Sequence, residues 1–127
     1  MPKTEVYFYQ EDDGSVPVLD WLLQLRDQNQ RAAKKCFSLV KLLRDFGSEL
    51  RRPRVDLLRD GVYELRTEVG NVNYRLLYGF VGKDVAVLAC GLTKEKAVPA
   101  SEIDRAAIRI GKYKQHPARH RYVYEEE

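Results

Sequence analysis

Arg66 and Arg75 carry the strongest chemical signal in the chain, because the pattern around them sets them side by side. The stretch from Val62 to Pro99 reads as three strands, VYELRT, VNYRLLYGF and DVAVLACGL, separated by Gly70-Asn71 and Gly82-Lys83. Each glycine-headed pair suits a two-residue type I′ or II′ hairpin. Such turns pair Val69 with Val72 and Val81 with Asp84, placing Arg66 opposite Arg75 and Arg75 opposite Cys90. Facing like charges disfavour a sheet by roughly 0.2–1 kcal/mol, so two such guanidiniums mark a place for an anion. Lys94 joins the same face if the third strand continues, and Lys96 follows in the next loop.

Alternation along the strands gives the sheet a core face of Tyr63, Leu65, Val72, Tyr74, Leu76, Tyr78, Phe80, Val85, Val87 and Ala89. Glu64, Arg66, Asn73, Arg75, Leu77, Leu88 and Cys90 fall on the other face, which is expected to be open. Upstream, Glu5 to Gln10 is rich in β-formers and predicts a short strand. Ser15, with Pro17 and Asp20 behind it, predicts a helix start over the leucine stripe of Leu19, Leu22 and Leu25. Asn29 caps a second helix to about Phe46, ended by Gly47, and the two should form an antiparallel hairpin on the core face. Leu50 to Gly61 reads as a polar loop, and a last helix runs from a cap at Ser101 to Gly111. The predicted order is β-α-α-β-β-β-α. The fold class is α+β: an N-terminal strand, a helical hairpin packed on a mostly antiparallel twisted sheet, and a C-terminal helix. Residues 1–113 form one domain in this reading, and 114–127 a loosely held tail.

The 127 residues, 44% hydrophobic and 32% charged, fit an ordinary globular domain. No apolar run approaches the roughly 18 residues that cross a bilayer, and the N-terminus lacks a signal-peptide core. Cys36 and Cys90 stand far apart, without metal-ligand spacing, as expected of free buried thiols in a reducing cytosol. No metal and no cofactor is expected. The net charge of +3 is uneven. Residues 31–54 hold eight basic residues against two acids, and 105–121 hold six against none. That asymmetry points to a polyanionic partner, although a solvated helix face would look the same.

The helical hairpin is followed by Tyr63-Glu64-Leu65-Arg66, then Asn73-Tyr74-Arg75-Leu76-Leu77-Tyr78. A lysine-bearing loop from Lys94 to Pro99 then leads into Glu102-Ile103-Asp104-Arg105-Ala106. In this order the motifs resemble the RelE/HigB toxin superfamily, closest to its HigB-like, phage-associated branch, over about Val6 to Tyr113. Glu95 stands where relatives commonly have a second lysine, and Ala89 or Cys90 where many have a histidine.

The resemblance implies the toxin of a toxin–antitoxin pair, a metal-independent endoribonuclease cutting mRNA in the ribosome. Its partners would be a cognate antitoxin, mRNA and ribosomal RNA, in the cytoplasm and away from membranes. Such cleavage uses the 2′-hydroxyl as nucleophile and needs fixed positive charge at the phosphorane. Arg66 and Arg75 would supply forked donors to phosphate oxygens. Lys94 and Lys96 would move protons or neutralise charge. Lys34, Lys35, Lys41, Arg51, Arg52, Arg54 and Asn73 would position RNA. A gyrase-inhibiting toxin without nuclease activity, and a non-toxic phage-derived RNA-binding protein, stay open as alternatives. A plain surface ladder in which Glu64 and Asn73 pair with the arginines also stays open.

Overall fold

The structure is a computed structural model and describes residues 4–51, 54–93 and 97–124. Its elements are β1 (Glu5–Tyr9), α1 (Pro17–Gln28), α2 (Gln30–Phe46), β2 (Val55–Arg59), β3 (Val62–Val69), β4 (Val72–Val81), β5 (Val85–Thr93), α3 (Ala100–Gln115) and β6 (Arg121–Tyr122). The six strands form one sheet in the order β2-β3-β4-β5-β1-β6, parallel between β1 and β5 and otherwise antiparallel. The α+β class is as expected.

The helical hairpin and α3 take opposite faces of this sheet. Leu22, Leu25, Cys36, Leu39 and Leu43 of the hairpin bury against Leu65, Leu76, Tyr78, Ala86 and Leu88. Ile103, Ala106 and Ile110 of α3 bury against Val62, Leu77, Ala89 and Leu92. The sheet is therefore covered on both sides at its centre.

The caps agree with the sequence in part. The Asn29 side-chain oxygen accepts from the backbone N–H of Ala32 at 3.1 Å, and Gly47 ends α2 at φ +53°. Ser15 does not cap α1. Its hydroxyl donates to Asp13 at 2.7 Å, and Val16 precedes the helix with Pro17 at the first position. Nor does Ser101 cap α3, whose N-terminal boundary is Pro99. Gly111 lies inside α3 rather than at its end. Burial of Tyr113, which stacks on Tyr7, carries the helix past it, against a glycine penalty of about 1 kcal/mol.

Register is where the structure departs most. The Gly70-Asn71 turn behaves as predicted: Val69 pairs with Val72 and Arg66 with Arg75. The next loop holds three residues, Gly82, Lys83 and Asp84, so Val81 pairs with Val85. A one-residue shift moves every side chain of a strand to the other face. Ala86 and Leu88 consequently point at the hairpin, and Val87 lies with Tyr9 and Tyr113 on the α3 side. A bulge at Ala89 shifts the pairing again, so Arg75 faces Leu92 instead of Cys90.

Two strands were hidden in segments that read as irregular. Val55–Arg59 pairs with β3 and forms one edge of the sheet, in place of the expected loop. Arg121–Tyr122 pairs with β1 at the other edge, within the segment expected as a loose tail. That segment is anchored by side chains as well. The His120 imidazole is 2% exposed, stacks on Tyr9 and hydrogen-bonds the Gln10 carbonyl at 2.8 Å. Tyr124 packs on Phe8 and Phe37.

Both cysteines are free and buried, as expected. Burial pushes the Cys36 thiol from 9.0 up to about 12. The unfolded chain therefore loses this proton first, and stability that is complete below pH 9 is lost as pH rises towards 12. Urea unfolding should show the free energy falling across that window by up to about 1.4 kcal/mol per pH unit. Cys36→Ala should flatten the fall, and an unchanged slope would contradict the buried neutral thiol.

Candidate functional site

The β3–β4 hairpin positions the site. Its tight turn sets Arg66 opposite Arg75, and alternation puts Glu64, Arg66 and Glu68 of β3 on one face with Asn73 and Arg75 of β4. On the neighbouring edge strand Asp56 stands opposite Glu64 and joins that face. Four charges thus form a block in which like charges are cross-strand neighbours and opposite charges lie on the diagonals. Arg75 pairs with Glu64, and Arg66 Nη2 lies 3.2 Å from Asp56 Oδ2.

The two diagonals differ in access to water. The Arg75 and Glu64 side chains are 8% and 3% exposed, those of Arg66 and Asp56 33% and 20%. The expectation that both guanidiniums lie on an open surface holds for Arg66 in part and fails for Arg75. The helix α3 lies on this face and was not placed there from the sequence. It buries Leu77, two residues along from Arg75, and Leu92, directly opposite Arg75. Arg59 ties the start of α3 down, donating to Asp104 at 2.7 Å and to the Ala100 carbonyl at 3.2 Å. Buried charges persist only when paired, and Glu64 fulfils that need for Arg75.

The other candidates divide between surfaces. Lys94, Lys96 and Arg52 lie outside the described residues. The strand that leads to Lys94 ends at Thr93, opposite Tyr74 and so one residue from Arg75. Asn73 is half-buried opposite Glu68 on the arginine face. Lys34 and Lys41 belong to α2 across the sheet, where with Arg44, Phe8, Phe37 and Tyr124 they line a concavity of about 340 Å³. Lys35 Nζ donates to the Glu68 carbonyl at 3.2 Å, at the hairpin end of β3. Arg51 donates to the Ser48 and Leu50 carbonyls. The exposed Arg54 accepts the Arg66 N–H at its own carbonyl, 2.9 Å away.

Asp56 is the residue that sequence reasoning missed. The signal was present in Val55-Asp56-Leu57, where an acid alternates with two apolar residues shortly before the strand that carries Arg66. Neither histidine reaches the block. His116 follows α3, and His120 sits beside β1, which is separated from β4 by β5. Among the described residues there is no group of three or more His, Cys, Asp or Glu side chains placed to hold a metal. None of the described helices is long and apolar enough to cross a membrane.

Among the described residues, the block presents one partly exposed guanidinium, that of Arg66, beside a buried Arg–Glu pair. A family model described as phage-derived protein Gp49-like matches residues 20–111. The chain belongs to the Gp49-like family. The Gp49-like region runs from α1 into α3 and contains Asp56, Glu64, Arg66 and Arg75. β1 and β6 fall outside it, so the charge block is part of the Gp49-like region and the strands that close the far edge are not. No curated protein gives a significant match to the chain.

Proposed function

We propose that this Gp49-like chain is the toxin of a toxin–antitoxin pair and a metal-independent endoribonuclease that cuts mRNA in the ribosome. The observation that carries this is the cross-strand placement of Arg66 and Arg75 beside the end of β5 at Thr93. The kinship to RelE/HigB toxins inferred from the motifs supports it.

In the proposed reaction the 2′-hydroxyl gives its proton to water as it attacks the adjacent phosphorus and the P–O5′ bond breaks, giving a 2′,3′-cyclic phosphate and a 5′-hydroxyl. Arg66 presents its fork to the non-bridging oxygens, where charge grows. Arg75 is assigned a positioning role, held by Glu64 beneath Arg66, instead of direct contact with phosphate. Lys94 and Lys96 neutralise charge and protonate the 5′-oxygen. An ordinary lysine, titrating near 10.4, is charged at pH 7 and suits an acid better than a base.

The split of basic residues between two faces fits a chain lodged among RNA. The arginine face meets mRNA, while Lys34, Lys35, Lys41, Arg51, Arg52 and Arg54 hold ribosomal RNA by phosphate contacts. A scaffold that fixes the substrate supplies orientation that a small site lacks. An antitoxin keeps the protein silent in the cytoplasm.

The closed Arg75–Glu64 pair favours a second reading, a toxin that inhibits gyrase without cutting RNA, since that guanidinium is already held by a carboxylate. Induction in a host lacking the antitoxin separates them. The nuclease reading expects growth arrest with shortened mRNA and unchanged supercoiling. Arrest with relaxed DNA and intact mRNA would favour the gyrase reading, and harmless expression would oppose both.

A further inference from the structure

If Arg66 meets the RNA backbone, as proposed above, the geometry points to Asp56 as a built-in competitor for the phosphate. β2 is the edge strand, and Arg66 and Asp56 are the partly exposed pair of the charge block, Arg66 the more exposed of the two. An anion arriving from solvent finds Nη2 of Arg66 already facing Asp56 Oδ2 at 3.2 Å. Carboxylate and phosphate make the same demand on a guanidinium, oxygens in line with its N–H groups. One must move for the other to use that nitrogen.

The block is built so that the outer pair yields and the inner one does not. Glu64 and Arg75 are buried, and separating them would leave a charge stranded away from water. Arg66 and Asp56 are both partly in water, where ion pairs are weak and salt-screened. Exchange at Arg66 therefore leaves the inner pair, and with it the backbone register of β3 and β4, in place. Asp56 also carries a negative charge that repels an approaching phosphate. A lone small anion gains one contact and meets that repulsion. A nucleic-acid strand makes a further contact along the same face, at Asn73, which offsets it. Asp56 in this role raises the threshold for single phosphates and selects polymeric RNA.

The test uses the full chain and a labelled single-stranded RNA with 2′-O-methyl groups throughout, which binds without being cut. Fluorescence anisotropy compares wild type, Asp56→Asn, Arg66→Ala and the double variant. Asp56→Asn should tighten binding about threefold to fivefold, the range expected when one partly exposed ion pair no longer competes. The same substitution on the Arg66→Ala background should give no gain. Asp56→Ser, smaller and neutral, should change affinity in the same direction and guards against an asparagine-specific effect. An equal gain on both backgrounds would reduce Asp56 to a general charge effect and overturn the competitor role. So would no gain from Asp56→Asn while Arg66→Ala still weakens binding. If Arg66→Ala binds as tightly as wild type, Arg66 does not meet RNA and the competitor role falls with that assignment.

Discussion

Replacing Glu64 with alanine should lower the unfolding free energy by about 3–5 kcal/mol, the range for removing one partner of a buried ion pair. The substitution leaves the buried Arg75 guanidinium without the carboxylate that accompanies it there. Desolvation sets the size of the effect, since a surface pair of the same geometry contributes only about 0–1 kcal/mol. Urea unfolding of the purified variant measures it directly. The paired replacement Glu64→Leu with Arg75→Met should recover most of the loss, because apolar side chains of similar volume pack without a charge to solvate. A loss below 1 kcal/mol for the single variant would mean that water reaches the inner pair.

Arg66→Ala should act the opposite way, with little effect on the fold and a large one on activity. Its ion pair with Asp56 is partly in water, so the stability change should stay within about 1 kcal/mol. Cleavage should fall about 10²–10³-fold, the loss typical of removing one donor that stabilises charge growing in a transition state. Arg66→Lys should recover only part of it, because an ammonium cannot reproduce the two-pronged geometry of guanidinium on phosphate. Equal loss of folding and cleavage would assign Arg66 a structural role.

The contrast between these residues shows how far the sequence reaches. The Gly70-Asn71 turn is a local signal, and it placed Arg66 opposite Arg75 correctly because turn chemistry and strand pairing are decided within a dozen residues. The helical hairpin was legible for similar reasons, through the Asn29 cap and the leucine stripe. What failed depended on partners far along the chain. The Gly82 loop takes a third residue, Asp84, and the Ala89 bulge then moves Arg75 from Cys90 to Leu92. The Arg109 guanidinium, brought over by α3, donates to the Ala89 carbonyl at 2.8 Å, and that contact is not encoded near either residue. Val55–Arg59 looks too polar for a strand until β3 lies beside it. The burial of Arg75 beside Glu64 is announced by no pattern within β4.

The proposal that Arg66 organises RNA cleavage is tested most directly on translating ribosomes. Purified wild type and Arg66→Ala are added to ribosomes carrying a defined mRNA, and the new 5′ ends are mapped and tested for phosphate. Wild type should give discrete cuts with 5′-hydroxyl ends, and Arg66→Ala should give few or none. Intact mRNA with wild-type protein, or the same cuts from Arg66→Ala at the same rate, would contradict it.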